Sequence, residues 1–494
     1  MKLSALACDA GIALDGSVQA DVTGFAIDHR KIAPGTVFGA FRGARFNAED
    51  FINDAVKAGA VAIVTRPDIS VIGAAHIASD EPRRDFAKLA AQFFTPVPAT
   101  IVAVTGTNGK TSCVEMTRQI WRMCGERAAS IGTLGVTTPD ESVSTGLTTP
   151  DIVTFLSNMS GLAREGVTHV AYEASSHGLS QYRNEGVAVS AAAFTNFSRD
   201  HLDYHADMED YFSAKMRLFD EVVAPGSAAV IWDDGTNRKW TIKVKEHAAK
   251  RGLKVLSVGE GGEFIRLTNR SATQLGQTLE LEHGGSSKTI KLPLIGAYQA
   301  ANALVSAGLA LATGSDAFQV FDAIGRLQPV RGRLERAVIT AQGAPVYVDY
   351  AHTPDALEAA IAALEPHVSR SDGGRLITVF GAGGDRDQGK RAPMGEAAAN
   401  GSDIVIVTDD SPRGENPARI RAEVLAGAPN AEQVGDRREA IGHAIAQAGP
   451  KDIILIAGKG HEQGQIVGAG DTMKVLPFDD VTVARECAAR HGAA

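Results

Sequence analysis

The chain has 494 residues, 44% of them hydrophobic and 22% charged, a balance that excludes a disordered polymer and suits globular protein. Its formal charge of −9 at pH 7 excludes a broad nucleic-acid or anionic-membrane footprint. An anionic small ligand, held by a few arginines or a helix N-terminus, stays compatible with that charge. At about 150 residues per domain the length predicts roughly three domains, large enough to fold without disulfides or a structural metal. Cys8, Cys113, Cys124 and Cys487 show no CxxC spacing, the pattern of a reduced cytoplasmic protein. The apolar part of Met1–Cys8 is too short for an export leader. No run approaches the ~18 apolar residues of a membrane-spanning helix.

In chain order, Thr95-Pro96-Val97-Pro98 reads as a first linker, because closely spaced prolines disfavour a continuous helix. Compact Val- and Ile-rich runs predict strands at Ile101–Val104, Val170–Tyr172 and Ala191–Phe194, with helices over Cys113–Met123, Ile152–Arg164 and Tyr211–Phe219. Glu263–Leu267, Thr278–Leu281 and Thr289–Leu292 read as short hairpin strands, followed by a helix at Ala301–Ala312. Gln328–Arg333 is a second linker, and strands at Val346–Val348, Leu376–Phe380, Ile404–Val407 and Ile453–Ile456 follow it. Buried strands separated by helices predict α/β architecture with parallel sheets covered on both faces. The linkers divide the chain into 1–96, 97–328 and 329–494.

The strand at Ile101–Val104 runs into Thr105-Gly106-Thr107-Asn108-Gly109-Lys110-Thr111-Ser112 and then a helix. In such a turn the backbone N–H groups point at phosphate oxygens and the helix dipole adds favourable potential. Gly106, Thr107, Asn108, Gly109 and Ser112 would cradle ATP, Lys110 would reach its β and γ phosphates, and the Thr111 hydroxyl would sit on Mg²⁺. The usual Walker pattern has glycine where this chain has Val104, so the loop is a variant whose first glycine is Gly106.

Two later segments crowd strand ends with metal-capable side chains. In His169–Leu179, Glu173 ends a buried strand, where an α/β sheet places ligand groups, and it is a candidate Mg²⁺ ligand with Thr111. Asn196–His205 carries His201, which alone would read as a polar loop histidine but beside a phosphate loop reads as a metal ligand.

Thr105–Ser112 resembles the TGTNGK[ST] signature of the Mur ligase family, which also includes the folylpolyglutamate synthases. The stretches around Glu173 and His201 resemble that family's E-x-S-S-H-G-L and N-[FLI]-x-x-D-H-L-D-x-H motifs. The resemblance implies that Glu173 and His201 hold magnesium bridging ATP and an acceptor carboxylate. It implies that Lys215, within Tyr211–Phe219, is carbamylated (N6-carboxylated) and becomes a second-metal ligand; residues alone would place Lys215 on a solvated helix face. Gly296–Asn302 resembles G-x-x-N-x-x-N, with Gln299 at the first asparagine and Asn302 at the adenine contact. Arg331–Glu335 and Asp349–Asp355 match G-R-x-E and D-Y-A-H-x-P, implying Arg333 at phosphate and Asp349 at the nucleotide. Unaided, Asp349 ends a strand and Thr353-Pro354 starts a helix.

Asp28–Ala40 followed by Arg42-Gly43 resembles the UDP-binding pattern of two branches of the family, with Asp28 and Arg30 in place and His29 where serine is usual. Thr148-Thr149-Pro150 and Ser175, Gln181 and Arg183 match residues that hold a UDP-N-acetylmuramoyl dipeptide; read alone, Thr149-Pro150 is a cap for the helix at Ile152. Asp409–Arg413 resembles the D-N-P-R box of ligases that add meso-diaminopimelate, with Ser411 in place of asparagine. The box implies contacts from Asp410, Ser411, Pro412 and Arg413, the last pairing with the distal carboxylate that lysine lacks. A planar guanidinium suits that carboxylate by bidentate geometry. Gly381–Asp387 and Gly458–Glu462 imply Arg386, Gly458 and Glu462 around the amino acid. The implied architecture is an N-terminal UDP-binding domain, a central ATP-binding domain with a small antiparallel portion and a C-terminal Rossmann-like amino-acid domain. The implied function is an ATP-dependent, ADP-forming ligase of peptidoglycan synthesis, with ATP, Mg²⁺, UDP-N-acetylmuramoyl-L-alanyl-D-glutamate and meso-diaminopimelate as partners, working as a cytoplasmic monomer. An L-lysine-adding ligase and a non-catalytic nucleotide-binding regulator are the alternatives; Arg413 opposes the first, and intact Lys110, Thr111, Glu173, His201 and Lys215 oppose the second.

Overall fold

The computed structural model describes residues 1–14, 19–43, 46–143, 148–201, 204–236, 238–273 and 275–492. Leu202 and Asp203 of the motif around His201 lie outside the described residues. The chain divides into two compact units, one of Met1–Phe264 with Val305–Val320, the other of Ile265–Leu304 with Phe321–Ala494.

The first unit holds two sheets. A parallel sheet orders Gly24–Ala26, Thr36–Gly39, Ala60–Thr65 and Ala75–Ala78, and the helix Pro82–Phe93 buries Phe86, Leu89 and Ala90. Proline at the first helical position suits that helix start, where its missing N–H costs nothing. The second sheet runs Lys254–Gly259, Val223–Trp232, Val189–Phe194, Thr100–Thr105, His169–Glu173 and Ala128–Gly132, all parallel, with an antiparallel edge of Gly135–Thr137 and Ser142–Val143. Thr100–Thr105 is flanked on both sides by later strands, so the chain reverses direction across the sheet there. The crevice at such a switch point, outside the carboxyl ends of the strands, is where α/β sheets hold ligands.

In the second unit an antiparallel meander joins Ile265–Thr273, Gly276–His283 and Ser286–Leu292. A six-stranded sheet orders Glu335–Ile339, Pro345–Asp349, Ile453–Ala457, Leu376–Phe380, Ile404–Val407 and Glu432–Gln433, parallel after its first strand. Ile453, Ile454, Leu455, Ile456 and Ala457 are wholly buried, as a strand covered on both faces must be. Arg437 and Asp480, both fully buried, form a two-bond ion pair, and Arg437 Nη2 also donates to the Ala457 carbonyl at 2.9 Å. Among the described residues no helix is long and apolar enough to cross a membrane.

The α/β class with parallel sheets is as the sequence predicts. The helices at Lys110–Met123, Met208–Arg217 and Ala297–Ala312 begin about one turn before their predicted starts. Asp207 explains one of these, since its side chain caps the Asp210 N–H in an otherwise polar first turn. The helix at Ile152 is capped by Asp151, which accepts from Val153 and Thr154 N–H. Thr149 is therefore free of a capping role.

Candidate active site

The strand Thr100–Thr105 ends in a tight loop that opens the helix Lys110–Met123. Gly106 has φ +141° and Gly109 φ +85°, and a Cβ on Gly106 would lie 2.0 Å from Thr195 Oγ1. Neighbouring strand ends pin the loop. Thr195 Oγ1 donates to the Asn108 carbonyl at 2.6 Å, the Asn108 N–H donates to Asn196 Oδ1 at 2.9 Å, and the Thr107 N–H donates to the Asn196 carbonyl at 2.9 Å. Tyr211 OH donates to Thr107 Oγ1 at 3.3 Å. Thr111 and Ser112 are buried in the first helical turn, where N–H groups have no intrahelical acceptor.

Two lysines converge on this loop. Lys110 Nζ donates to the carbonyls of Gly106 at 3.1 Å and Thr107 at 2.7 Å. Lys215, on the helix Met208–Arg217, is 1% exposed and donates from Nζ to the same Gly106 carbonyl at 2.7 Å. Burial, reinforced by the neighbouring Lys110, pushes the Lys215 amine well below the ordinary lysine range, against a smaller upward pull from Asp200. The solvated helix face that residues alone suggested for Lys215 is thus not what the fold provides.

Glu173 ends the strand beside Thr100–Thr105, in register with Val104. Its carboxylate accepts from the Thr133 N–H at 2.7 Å and Thr133 Oγ1 at 3.3 Å, and Thr133 Oγ1 lies 3.0 Å from Thr148 Oγ1. Thr149 Oγ1 donates to the Glu173 carbonyl at 2.9 Å and sits 2.9 Å from Ser175 Oγ. Arg183 donates to the Thr149 carbonyl at 3.0 Å and to Gln181 Oε1 at 2.7 Å. Thr148, Thr149, Ser175, Gln181 and Arg183, separate in sequence, are thereby gathered around Glu173. His201 adopts φ +53°, with its ring centroid 5.0 Å from His177 and 5.9 Å from Tyr211. Among the described residues no three His, Cys, Asp or Glu side chains form a preassembled metal cage.

Asp28 and Arg30 line a cavity of about 540 Å³ with Phe25, Phe46, Asp151 and Thr154. Arg30 grips Asp28 through Nε at 2.9 Å and Nη2 at 2.7 Å, which lowers the Asp28 carboxyl to about 2. His29 stacks on Phe51, with centroids 4.1 Å apart and planes 11° from parallel, and Phe46 stacks on Phe51 at 5.0 Å. The ring that replaces serine is thus built into an aromatic wall, a feature that no motif signalled.

In the second unit Asp349, at its strand end, accepts from the N–H groups of Leu334 at 2.8 Å and Ala351 at 2.9 Å. Burial raises its carboxyl, with Arg333 opposing that rise. Gln299 Nε2 donates to the Arg333 carbonyl at 2.8 Å and Asn302 Nδ2 to Gln299 Oε1 at 3.1 Å, so the three nucleotide candidates of this unit belong to one neighbourhood. The loops after Leu376–Phe380, Ile404–Val407 and Ile453–Ala457 meet at one end of the six-stranded sheet. Arg413 has φ +49° and donates from Nη1 to the Gly384 carbonyl at 2.9 Å, and Asp385 has φ +51°. A strained backbone of this kind persists only where surroundings over-determine it, and here a fully buried Arg391 does so. It makes two bonds to Glu415 at 2.8 and 3.0 Å, while Glu415 accepts from the Asp385 N–H at 2.6 Å. Arg386 is exposed, and Asp410, Ser411, Pro412 and Gly458 are buried. Sequence reasoning missed Arg391 and also Lys459, whose only signal was a charged residue between two glycines directly after an apolar strand.

Comparison with known proteins gives a consistent picture. Residues 104–310 match the model of the Mur ligase middle domain, and residues 332–460 that of the Mur ligase glutamate ligase domain. A UDP-N-acetylmuramoyl-L-alanyl-D-glutamate–2,6-diaminopimelate ligase of Zymomonas mobilis is 60% identical over 94% of each chain. The protein of the same name from Bradyrhizobium diazoefficiens is 51% identical over 93% of each. A solved structure of a ligase with that name superposes with a TM-score of 0.75 at 30% identity, covering 99% of each chain.

Because Gly106 combines a positive φ with contact to Thr195, Gly106→Ala is expected to destabilise the first unit by roughly 1–3 kcal/mol. Denaturant unfolding against wild type checks this, and an unchanged midpoint would mean that the loop is not held as described.

Proposed function

The chain belongs to the Mur ligase family, and from that premise we infer that it adds meso-diaminopimelate to the D-glutamate side-chain carboxylate of UDP-N-acetylmuramoyl-L-alanyl-D-glutamate, with conversion of ATP to ADP, in peptidoglycan synthesis. The full-length relatives named for this reaction support the reading. The observation in this chain that carries its chemistry is the convergence of Lys110 and buried Lys215 on the Gly106 carbonyl beside a strand-end carboxylate, Glu173. On the same reading 1–96 binds the UDP moiety, 97–328 the ATP and 329–494 the amino acid, in the cytoplasm.

A carboxylate is a poor electrophile, so the γ-phosphate of ATP is first transferred to it, giving an acyl phosphate. The diaminopimelate amine then attacks the acyl carbon and phosphate leaves. Lys110 and the first-turn amides of Thr111 and Ser112 stabilise charge on the transferred phosphoryl group. Asn302, Arg333 and Asp349 serve the nucleotide, Asp28 and Arg30 the UDP moiety, and Thr148, Thr149, Ser175, Gln181 and Arg183 the dipeptide. Arg386, Asp410, Ser411, Pro412, Arg413, Gly458 and Glu462 surround the diaminopimelate. Thr111, Glu173, His201 and Lys215 are the donor set for Mg²⁺, which when bound supplies Lewis-acid stabilisation of phosphoryl oxygens. The Thr111 hydroxyl and Glu173 carboxylate supply the hard oxygens that suit the ion, His201 adds a ring nitrogen, and Lys215 gains oxygens if its amine is carboxylated. A neutral amine combines with CO₂, releasing one proton, to form a carbamate whose oxygens replace the amine as donors. Burial and the neighbouring Lys110 lower the proton affinity of Lys215, which favours that neutral amine.

Lys110→Ala is expected to abolish ADP release with circular dichroism retained; turnover within tenfold of wild type would remove Lys110 from the chemistry. Arg413→Ala should raise the KM for diaminopimelate 10- to 100-fold, the effect of losing a charge-assisted pair of about 1.5–3 kcal/mol. An unchanged KM would take Arg413 out of the pocket. Supplied with ¹³C-bicarbonate, the protein should show a carbamate carbon resonance that Lys215→Ala lacks. The downward displacement of the Lys215 proton affinity extends the resonance to lower pH than a lysine of ordinary pKa ~10.4 allows. It should fade as the pH falls through the lowered value, and its absence throughout would refute the modification.

A further inference from the structure

Lys459 sits between Gly458 (φ +114°) and Gly460 (φ +54°), directly after the strand Ile453–Ala457, with its side chain fully buried. A Cβ on Gly460 would lie 2.8 Å from Tyr350 Cα, so the turn that delivers Lys459 inward is closely packed. Its ammonium spends its three protons on three neighbours: Asp410 Oδ1 at 3.2 Å, Ser411 Oγ at 3.3 Å and Glu462 Oε2 at 3.4 Å. Ser411, 4% exposed, accepts a second hydrogen bond from the Ile466 N–H at 3.2 Å. The strand Gly464–Val467 that supplies this N–H is tied to the same loop: Gln465 Nε2 donates to the Asp410 carbonyl, and the Arg413 N–H donates to the Ile466 carbonyl at 3.0 Å.

A serine hydroxyl has two acceptor lone pairs and one proton. Lys459 and the Ile466 amide take both lone pairs, and among the described residues the Ser411 hydroxyl accepts these two bonds and donates none. We propose that Lys459 is a positioning residue that makes Ser411 a pure hydrogen-bond donor, so that the Ser411 hydroxyl is held to donate, beside Arg413, to the distal carboxylate of diaminopimelate. The proposal rests on the reading of these loops as the diaminopimelate pocket and adds the source of its selectivity. A carboxylate is acceptor-only and satisfies both donors. Lysine has a hydrogen where diaminopimelate has its distal carboxylate, and would leave the Ser411 proton and the Arg413 guanidinium unpaired. Buried groups left unpaired by the wrong substrate produce strong rejection.

The test is steady-state coupling by the full-length enzyme with diaminopimelate and with L-lysine. Ser411→Ala should raise the KM for diaminopimelate roughly 10- to 100-fold with little change in kcat. The preference for diaminopimelate over lysine should fall by a similar factor, and Ser411→Thr, which keeps the hydroxyl, should restore most of it. Lys459→Met should also lose the preference, and adding Ser411→Ala to it should cost nothing more, because Lys459 acts through that hydroxyl. A Ser411→Ala penalty as large in the Lys459→Met background as in wild type would overturn the proposal. Should Lys459→Met fail to fold, the serine pair decides alone: an unchanged preference in Ser411→Ala overturns the proposal while normal wild-type turnover leaves the functional reading standing. A wild-type enzyme that couples neither amine, or prefers lysine, instead sinks that reading and the proposal with it.

Discussion

The carbonyl of Gly106 receives two lysine amines, from Lys110 at 3.1 Å and from Lys215 at 2.7 Å, and much of the first unit's site follows from that crowding. Two ammonium groups on one carbonyl repel, and the one further from water gives up its proton more readily. The same bonds, with that of Thr195 to the Asn108 carbonyl, tether the carbonyls of the loop. In a planar peptide the N–H points opposite to the C=O, so tethered carbonyls fix the direction of the amides. The glycine is required because this carbonyl can be presented only by a residue at φ +141° with no Cβ against Thr195.

Four buried cations show how differently this molecule treats charge. Arg437 is closed off by Asp480, and Arg391 by Glu415 and Glu423; such pairs repay desolvation only with good geometry, and their work is to hold loops and helices in place. Lys459 is shared among Asp410, Ser411 and Glu462, so its charge reaches a group that can meet substrate. Lys215 is buried with a backbone carbonyl and, among the described residues, no carboxylate to compensate its charge fully, and burial, reinforced by the neighbouring Lys110, lowers its proton affinity. Arginine, whose proton cannot be shed, occupies the structural positions. Lysine occupies the two that adjoin chemistry.

What could be read from the sequence was the part governed by local physics. Apolar Val- and Ile-rich runs gave central parallel strands such as Thr100–Thr105, Leu376–Phe380 and Ile453–Ala457 nearly residue for residue, because a strand buried on both faces has to be continuously apolar. They did not give those at Ala60–Thr65, Ala128–Gly132, Val223–Trp232 and Lys254–Gly259. Helix starts came out about a turn late at Lys110, Met208 and Ala297, since first turns lie beside loops and lack the apolar periodicity that marks a helix. The phosphate loop was legible because glycine spacing, lysine and strand-to-helix context all point one way. The burial of Lys215 was not, since Tyr211–Phe219 has no period that tells which face meets the loop. Thr149 was equally ambiguous: a threonine before proline and a helix reads as a cap, and only the fold shows Asp151 capping while Thr149 bonds to Glu173 and Ser175.

The same limit applies to Ser411, which stands where the box has asparagine. Compared one residue at a time, a serine standing for an amide-bearing residue offers fewer polar atoms. Within the fold its hydroxyl has both lone pairs occupied, by a buried lysine and a strand amide, and a hydroxyl so held has a defined polarity that an amide, carrying donor and acceptor together, lacks. The substitution therefore exchanges an adaptable group for a fixed one. Selectivity in a buried polar site depends on such fixity, because rejection of the wrong ligand comes from groups that cannot turn to accommodate it.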